Sequence, residues 1–137
     1  MSKDTFAKGH CLCGNVSYKI SSEPLRMAQC HCQRATGTGH MSLAFFKKDD
    51  IEITGQTSSY TSTADNGAEV TRHFCPDCGS RLFGTNTSMT SMMAISVGCV
   101  DDHSWYKPQV IVYNKRKPAW DCMDENVPTF DDMPPPI

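Results

Sequence analysis

The sequence predicts a mainly β protein built as one domain. The chain has 137 residues, a length that suits a single hydrophobic core. Short runs of alternating apolar and polar residues are separated by turn residues, and no periodicity supports a helix longer than about two turns. We assign residues 1–137 to one domain, with residues 1–8 as a frayed lead-in and residues 114–137 as an irregular, proline-rich tail packed on it.

Turn signals divide the domain into short strands. The Asn66-Gly67 dipeptide predicts a tight hairpin. Residues 33–39 have the composition of a loop. In the tail, Trp120 and Phe130 are expected to be the anchors that pack on the domain. The predicted strands span residues 16–20, 27–32, 41–46, 51–53, 59–62, 69–74, 81–84, 92–97 and 110–113.

The charge pattern and the apolar runs exclude several classes of partner. The net charge is −2, and the Lys and Arg residues are scattered instead of forming the basic stripe typical of nucleic-acid binding. No apolar run approaches membrane-spanning length, and residues 1–5 lack the apolar region of a secretion signal. We therefore expect a cytoplasmic protein with reduced thiols. The sequence carries no signal of the oligomeric state.

Four of the eight cysteines form two close pairs that suit one metal ion. Cys75 and Cys78 lie in a C-P-x-C-G turn, in which Pro76 helps to direct both thiolates to one side. Cys11 and Cys13 form a C-x-C pair, and residues two apart in an extended segment share a face. Four thiolates are a common ligand set of structural zinc, so we expect these four cysteines to bind one zinc ion.

The cysteines also allow two roles that involve no metal. They could be small buried hydrophobic residues or parts of a disulfide framework. Metal binding is favoured because no secretory segment is present and because cysteines two apart on a strand are poorly placed to bridge each other. Cys99 is expected to be a buried hydrophobic residue, with a distant ligand role still open, and Cys122 is expected to be a surface thiol.

A second C-x-C pair leads to a family resemblance. Cys30-His31-Cys32 is followed at once by the sequence Q-R-A-T-G. With these motifs and three others in the same order, the chain resembles the glutathione-dependent formaldehyde-activating enzymes, which include centromere protein V-like domains. The three others are G-H-C-L-C-G-N-V at residues 9–16, F-C-P-D-C-G-S-R-L at residues 74–82, and P-A-W-D at residues 118–121 with the proline-rich end.

The resemblance implies a fold, two zinc sites and a reaction. The fold would be a β-tent of stacked antiparallel sheets with a zinc-knuckle hairpin. The structural zinc would lie on Cys11, Cys13, Cys75 and Cys78. A second, catalytic zinc is held in the family by a C-x-C-x-x-C motif, of which this chain retains Cys30 and Cys32. The implied activity is that of a carbon–sulfur lyase, which brings glutathione and formaldehyde together as S-hydroxymethylglutathione.

The second zinc site departs from the family pattern. About three residues are missing after Cys32, and the position three residues further on is Ala35, which cannot bind a metal. A third ligand would have to be His31, His40, His10 or a bound thiol. In a regular strand His31 points away from both cysteines, although a local irregularity would turn it round.

Three arginines lie close to the cysteine motifs in the sequence. Arg34 follows the C-H-C pair and is either a surface arginine, the commoner case, or a residue that binds a carboxylate of the substrate, since glutathione carries two. Arg72 and Arg81 flank the C-P-x-C-G turn and are expected to make packing or ion-pair contacts.

The sequence leaves two functions open. The chain is either an enzyme that acts on a small thiol such as glutathione or a non-catalytic, zinc-stabilised binding module. Iron in place of zinc stays open.

Overall fold

A computed structural model describes residues 4–135 and confirms the mainly β class. The described chain contains ten strands and one short α-helix, α1, over Gln33–Thr36. Single turns of 3-10 helix lie at Lys48–Asp50, Val97–Cys99 and Asn114–Arg116. The strands are β1 (Ala7–His10), β2 (Ser17–Ile20), β3 (Arg26–Cys30), β4 (Met41–Lys47), β5 (Ile51–Thr54), β6 (Ser58–Thr63), β7 (Glu69–Phe74), β8 (Arg81–Asn86), β9 (Met92–Ser96) and β10 (Val110–Val112).

The strands form two sheets that pack around one core. The small sheet has the order β1-β2-β5, and the large sheet has the order β10-β3-β4-β9-β8-β7-β6. Neighbouring strands are antiparallel, except that β10 pairs with β3 in parallel. Buried residues of both sheets meet in one apolar cluster, so the stacked arrangement implied by the family resemblance is confirmed. The cluster includes Ala7, Tyr18 and Ile20 from the small sheet and Ala44, Phe46 and Ile95 from the large sheet.

One face of the large sheet packs against the core, and the opposite face lines a groove. In β4, Ala44 and Phe46 are fully buried in the core. Leu43 and Phe45 alternate with them, and both are half-buried residues that line the groove. Because successive side chains of a strand point to opposite faces, this alternation separates the core from a partly apolar groove floor.

Ion pairs join the two edges of the large sheet across one side of the groove. Asp65, in the turn between β6 and β7, contacts Arg116 and lies 3.4 Å from Lys115, and both basic residues follow β10. Lys115 also pairs with Asp132 of the tail. Strands β6 and β10 are the opposite edges of the sheet, so the sheet must curl strongly for these residues to meet. The groove has a volume of about 1430 Å³ and is partly open to solvent.

The amino-terminal segment and the tail differ from the sequence prediction. Strand β1 begins at Ala7, within the predicted lead-in. The prediction missed this strand because its short run contains a glycine and resembles a loop. Trp120 is 69% exposed, so its prediction as an anchor is wrong. The tail is held instead by backbone hydrogen bonds between Ile111 of β10 and both Pro128 and Phe130. Residues 1–3 and 136–137 of these two segments lie outside the described part.

Among residues 4–135, no helix has the length and apolar character needed to cross a bilayer.

Gly9→Ala is expected to lower the free energy of unfolding by about 1–3 kcal/mol, the usual cost of overpacking. An added Cβ would lie 2.3 Å from the Tyr18 ring and 2.6 Å from the carbonyl oxygen of Cys99, and Tyr18 is itself buried. Urea unfolding measures the change. Gly98→Ala is the matched control because nothing lies within 4 Å of its added Cβ. Equal unfolding midpoints for the two variants would refute the close packing of Gly9.

Candidate functional site

Four cysteine sulfurs meet where the small sheet approaches the turn between β7 and β8. The Sγ atoms of Cys11, Cys13, Cys75 and Cys78 all lie within 4.8 Å of one another. The Cys11–Cys13 and Cys13–Cys75 sulfur distances are both 3.6 Å. A tetrahedral zinc ion with Zn–S bonds of about 2.3 Å requires sulfur separations of about 3.8 Å. The four thiols therefore fit one zinc ion, and the predicted grouping of these residues is confirmed.

The two cysteine loops share one backbone design. In the first loop the Gly14 N–H donates to the carbonyl of Cys11, and in the second the Gly79 N–H donates to the carbonyl of Cys75. Both glycines have positive φ, 83° and 77°, a conformation that favours glycine. Cys11 follows the end of β1, so a turn, and not the predicted extended segment, brings Cys11 and Cys13 together.

Ser80 connects the two loops beside the sulfurs. Its hydroxyl lies 3.3 Å from the Cys78 sulfur and accepts a hydrogen bond of 3.0 Å from the backbone N–H of Leu12. Hydrogen bonds from the Ser80 side chain, and then from its backbone, lower the pKa of the Cys78 thiol to about 5. This environment favours the thiolate, which is the form that binds a metal.

The second cysteine pair forms a disulfide. Cys30 is the last residue of β3, Cys32 precedes α1, and their Cα atoms lie 5.4 Å apart. The expectation that these residues are poorly placed to bridge each other is wrong, as is the expectation that their thiols are reduced. Two residues of extended strand span about 6.6 Å, so the Cα separation of 5.4 Å shows that the chain bends between Cys30 and Cys32 and brings their sulfurs together.

The residues around the disulfide do not fit a second zinc ion in this state. A disulfide sulfur is not a thiolate ligand, and Ala35 occupies the position three residues after Cys32. Within residues 4–135, the four-cysteine cluster is the one group of three or more His, Cys, Asp or Glu residues close enough to share a metal. Metal binding and catalysis by Cys30 and Cys32 remain predictions for the reduced protein.

The histidines considered as third ligands are held by other groups. His31 is fully buried, and its Nδ1 lies 2.8 Å from the Gly39 carbonyl and 3.5 Å from the Asp121 carboxylate. His40 Nδ1 lies 2.8 Å from the same carboxylate. Gly39 is required here, since an added Cβ would lie 2.5 Å from the Asp121 carboxyl carbon. His10 lies elsewhere, 3.3 Å from the Asp101 carboxylate.

Asp121 is a site residue that the sequence analysis missed. The signal was present, because Asp121 ends the P-A-W-D motif, but the tail was expected only to pack around Trp120. Its carboxylate contacts both His31 and His40, which are far from it in sequence. The imidazole Nε2 of His31 is buried and has no hydrogen-bond partner among residues 4–135. Only the folded chain shows these neighbours.

The groove collects the remaining candidate residues. Cys30, Cys32 and His31 line it together with Arg34, which is exposed on α1. The groove therefore places a cysteine pair beside basic and apolar groups. Its other lining residues include Met41, Leu43 and Phe45 of β4, Arg72 of β7 and Arg81 of β8.

The two stacked sheets and the four-cysteine cluster define a small, metal-binding β domain with a large groove. A sequence profile of glutathione-dependent formaldehyde-activating enzymes matches residues 6–116. The chain therefore belongs to the family of glutathione-dependent formaldehyde-activating enzymes.

A solved structure supports the fold. The chain is similar to a Rhodobacter sphaeroides protein whose crystal structure came from a structural genomics programme, with 21% sequence identity and a TM-score of 0.55. The match covers 69% of this chain and 87% of that one. At this identity the likeness concerns the fold alone.

Cys75→Ser is expected to release the bound metal and to unfold most of the chain. Cys75 is fully buried, and structural zinc contributes about 10–16 kcal/mol in small zinc-binding peptides. Circular dichroism and elemental analysis of the purified variant check both effects. Cys122→Ser is the control because Cys122 is an exposed thiol outside the cluster. A folded Cys75→Ser protein with unchanged metal content would contradict the four-cysteine site.

Proposed function

We propose that the protein is a zinc protein whose groove binds a small thiol such as glutathione and acts on its formaldehyde adduct, as a carbon–sulfur lyase. The zinc ion would be structural, held by Cys11, Cys13, Cys75 and Cys78. Membership of the formaldehyde-activating family supports the substrate. The observation that carries the proposal is the large groove, because the Cys30–Cys32 pair lines it.

The size of the groove suits a peptide-sized ligand. Pockets for small molecules usually have volumes of about 300–1,000 Å³, and this cavity reaches about 1430 Å³. Apolar side chains of β4 form part of its floor, and arginines from α1, β7 and β8 line it. A ligand with an apolar middle and acidic ends, as in a small thiol peptide, would be compatible with both surfaces.

The proposed reaction is balanced within the two substrates. The sulfur of the thiol attacks the carbon of formaldehyde, a C–S bond forms, and the carbonyl oxygen takes up the proton that the thiol loses. The reverse reaction breaks the C–S bond of the hydroxymethyl adduct and releases both compounds. The protein would contribute by holding the two reactants together and by favouring the thiolate with nearby guanidinium groups. In the reduced protein, the thiols of Cys30 and Cys32 would carry the proton from the substrate thiol to the carbonyl oxygen.

The second candidate function is a non-catalytic binding module. It is favoured by a specific observation: Cys30 and Cys32 are joined in a disulfide, and Ala35 stands where a third thiol would be needed. In this alternative the groove would bind the small thiol without turning over its adduct, and the zinc ion would serve only to hold the fold.

Turnover by reduced, zinc-loaded protein separates the two functions. Formation of S-hydroxymethylglutathione is followed by NMR, and the rate is compared with the reaction without protein. The lyase proposal predicts an accelerated reaction that falls by about a hundredfold or more in Cys30→Ser and in Cys32→Ser, the usual effect of losing a group that takes part in proton transfer. Zinc content should remain that of the unmodified protein, because neither cysteine belongs to the structural cluster.

The control for this experiment is Cys122→Ser, which removes an exposed thiol and should leave the rate unchanged. Glutathione binding without any acceleration would establish the binding module. A protein that neither binds glutathione nor accelerates the reaction would refute both functions.

A further inference from the structure

A β-bulge in β8 turns Arg81 toward the groove. His73 of β7 pairs with Phe83, but the next residue, Phe74, pairs with Arg81, so Leu82 is an extra residue in β8. Paired residues of antiparallel strands share a face of the sheet. Arg81 therefore faces the same side as Phe74, while Leu82 is fully buried in the core. In a regular ladder Leu82 would oppose Phe74, and Arg81 would point to the other face.

Arg72 lies on the same face as Arg81. It is two residues before Phe74 in β7, and residues two apart in a strand point to the same side. Both arginines are half-buried, and both line the groove. The bulge therefore places two guanidinium groups side by side on the groove floor.

No acidic side chain neutralises this arginine pair. Arg72 donates one hydrogen bond, 2.8 Å long, to the hydroxyl of Ser62. Within residues 4–135, neither Arg72 nor Arg81 has an ion pair with an acid, so packing is what remains of the expected packing or ion-pair contacts. Burial lowers the pKa of both guanidinium groups, and the positive charge of Arg72 lowers the pKa of Arg81 further. Two half-buried like charges repel each other, and a bound anion would remove this cost.

The other arginines of the groove stand apart from this pair. Arg26 of β3 donates to the carbonyl of Pro135 with a distance of 2.9 Å. Arg116 contacts the carboxylate of Asp65, and Arg34 is exposed on α1. Arg72 and Arg81 differ from them because they lie on adjacent strands and on the same face of the sheet.

We propose that Arg72 and Arg81 form a carboxylate-binding subsite for the acidic end of the thiol ligand. The proposal builds on the function proposed above and names the part of the ligand that the groove selects. Guanidinium groups bind carboxylates through paired, charge-assisted hydrogen bonds, which are stronger than neutral ones. A thiol that carries a carboxylate would therefore bind better than one of equal size without a negative charge.

The position of the subsite also restricts the length of the ligand. Strand β8 is separated from β3 by β9 and β4, and the pairing registers place Arg81 and Cys30 near the same end of the sheet. Three strand spacings correspond to about 14 Å along the sheet, and the curl of the sheet shortens the path across the groove. A small peptide with its sulfur near Cys30 and its terminal carboxylate at the arginines would span this distance.

S-methylglutathione tests the subsite without requiring turnover, because it keeps both carboxylates but lacks the free thiol. Its affinity for zinc-loaded protein is measured by isothermal titration calorimetry. Arg72→Gln and Arg81→Gln are each expected to weaken binding by about tenfold or more, the usual effect of losing a hydrogen bond to a charged group. Lys19→Gln is the control, since Lys19 is an exposed basic residue of β2 outside the groove, and the affinity should change less than about twofold.

The diethyl ester of S-methylglutathione provides the second half of the test. Esterification should weaken binding to the unmodified protein about as much as the arginine substitutions do. It should weaken binding to Arg81→Gln much less, because esterification and the substitution remove the same interaction. Three results would each overturn the subsite. The arginine variants could bind S-methylglutathione as tightly as the unmodified protein, the unmodified protein could bind acid and ester equally, or the unmodified protein could bind neither.

Folding of the variants is checked by thermal unfolding without ligand. Removing one of two like charges should leave the melting temperature unchanged or raise it. If a glutamine variant does not fold, Arg81→Lys takes its place, because lysine keeps the charge but loses the paired hydrogen bonds and should still weaken binding. Selective binding of S-methylglutathione without lyase turnover would support the subsite while refuting only the proposed reaction.

Discussion

The four-cysteine cluster is the interaction on which the rest of the structure depends. Cys11 and Cys13 follow β1 of the small sheet, and Cys75 and Cys78 lie between β7 and β8 of the large sheet. A metal ion at this point would tie together residues far apart in the chain. The free energy of metal binding in zinc-dependent domains, about 10–16 kcal/mol, is comparable to the whole net stability of an ordinary domain.

The same turn connects the metal cluster to the groove. Ser80, which contacts the Cys78 sulfur, immediately precedes Arg81, and the bulge at Leu82 follows. The conformation that places the sulfurs around one point therefore also determines which way the Arg81 side chain faces. At the other end of β7, Asp65 of the β6–β7 turn contacts Arg116 across the groove. Stability and ligand binding in this fold rest on neighbouring parts of the chain.

Much of the fold was predictable because it depends on local patterns. Alternating runs and the Asn66-Gly67 turn predicted most of the strands, and the cysteine spacing predicted the grouping of the four ligands. Strand β1 was missed because its four residues, with a glycine among them, carry little local signal and depend on pairing with β2. The exposure of Trp120 was also unpredictable from composition, since a tail held by backbone hydrogen bonds needs no aromatic anchor.

The candidate site was less predictable because it depends on contacts between distant residues. The meeting of Asp121 with His31 and His40 joins segments that no local pattern relates. The shared face of Arg72 and Arg81 depends on one extra residue in β8, and an even alternation would have placed the two on opposite faces. The Cys30–Cys32 disulfide depends on the bend after β3, which the short strand pattern did not reveal.

The number of zinc ions per chain tests the central claim most directly. Elemental analysis of protein that keeps the Cys30–Cys32 disulfide, purified without added metal, should give about one zinc ion per chain, as expected for a four-thiolate site. A folded protein that contains no metal would contradict the account, since the two sheets would then be held together without the cysteine cluster. A value of about two would contradict the conclusion that the groove cysteines lack a third ligand.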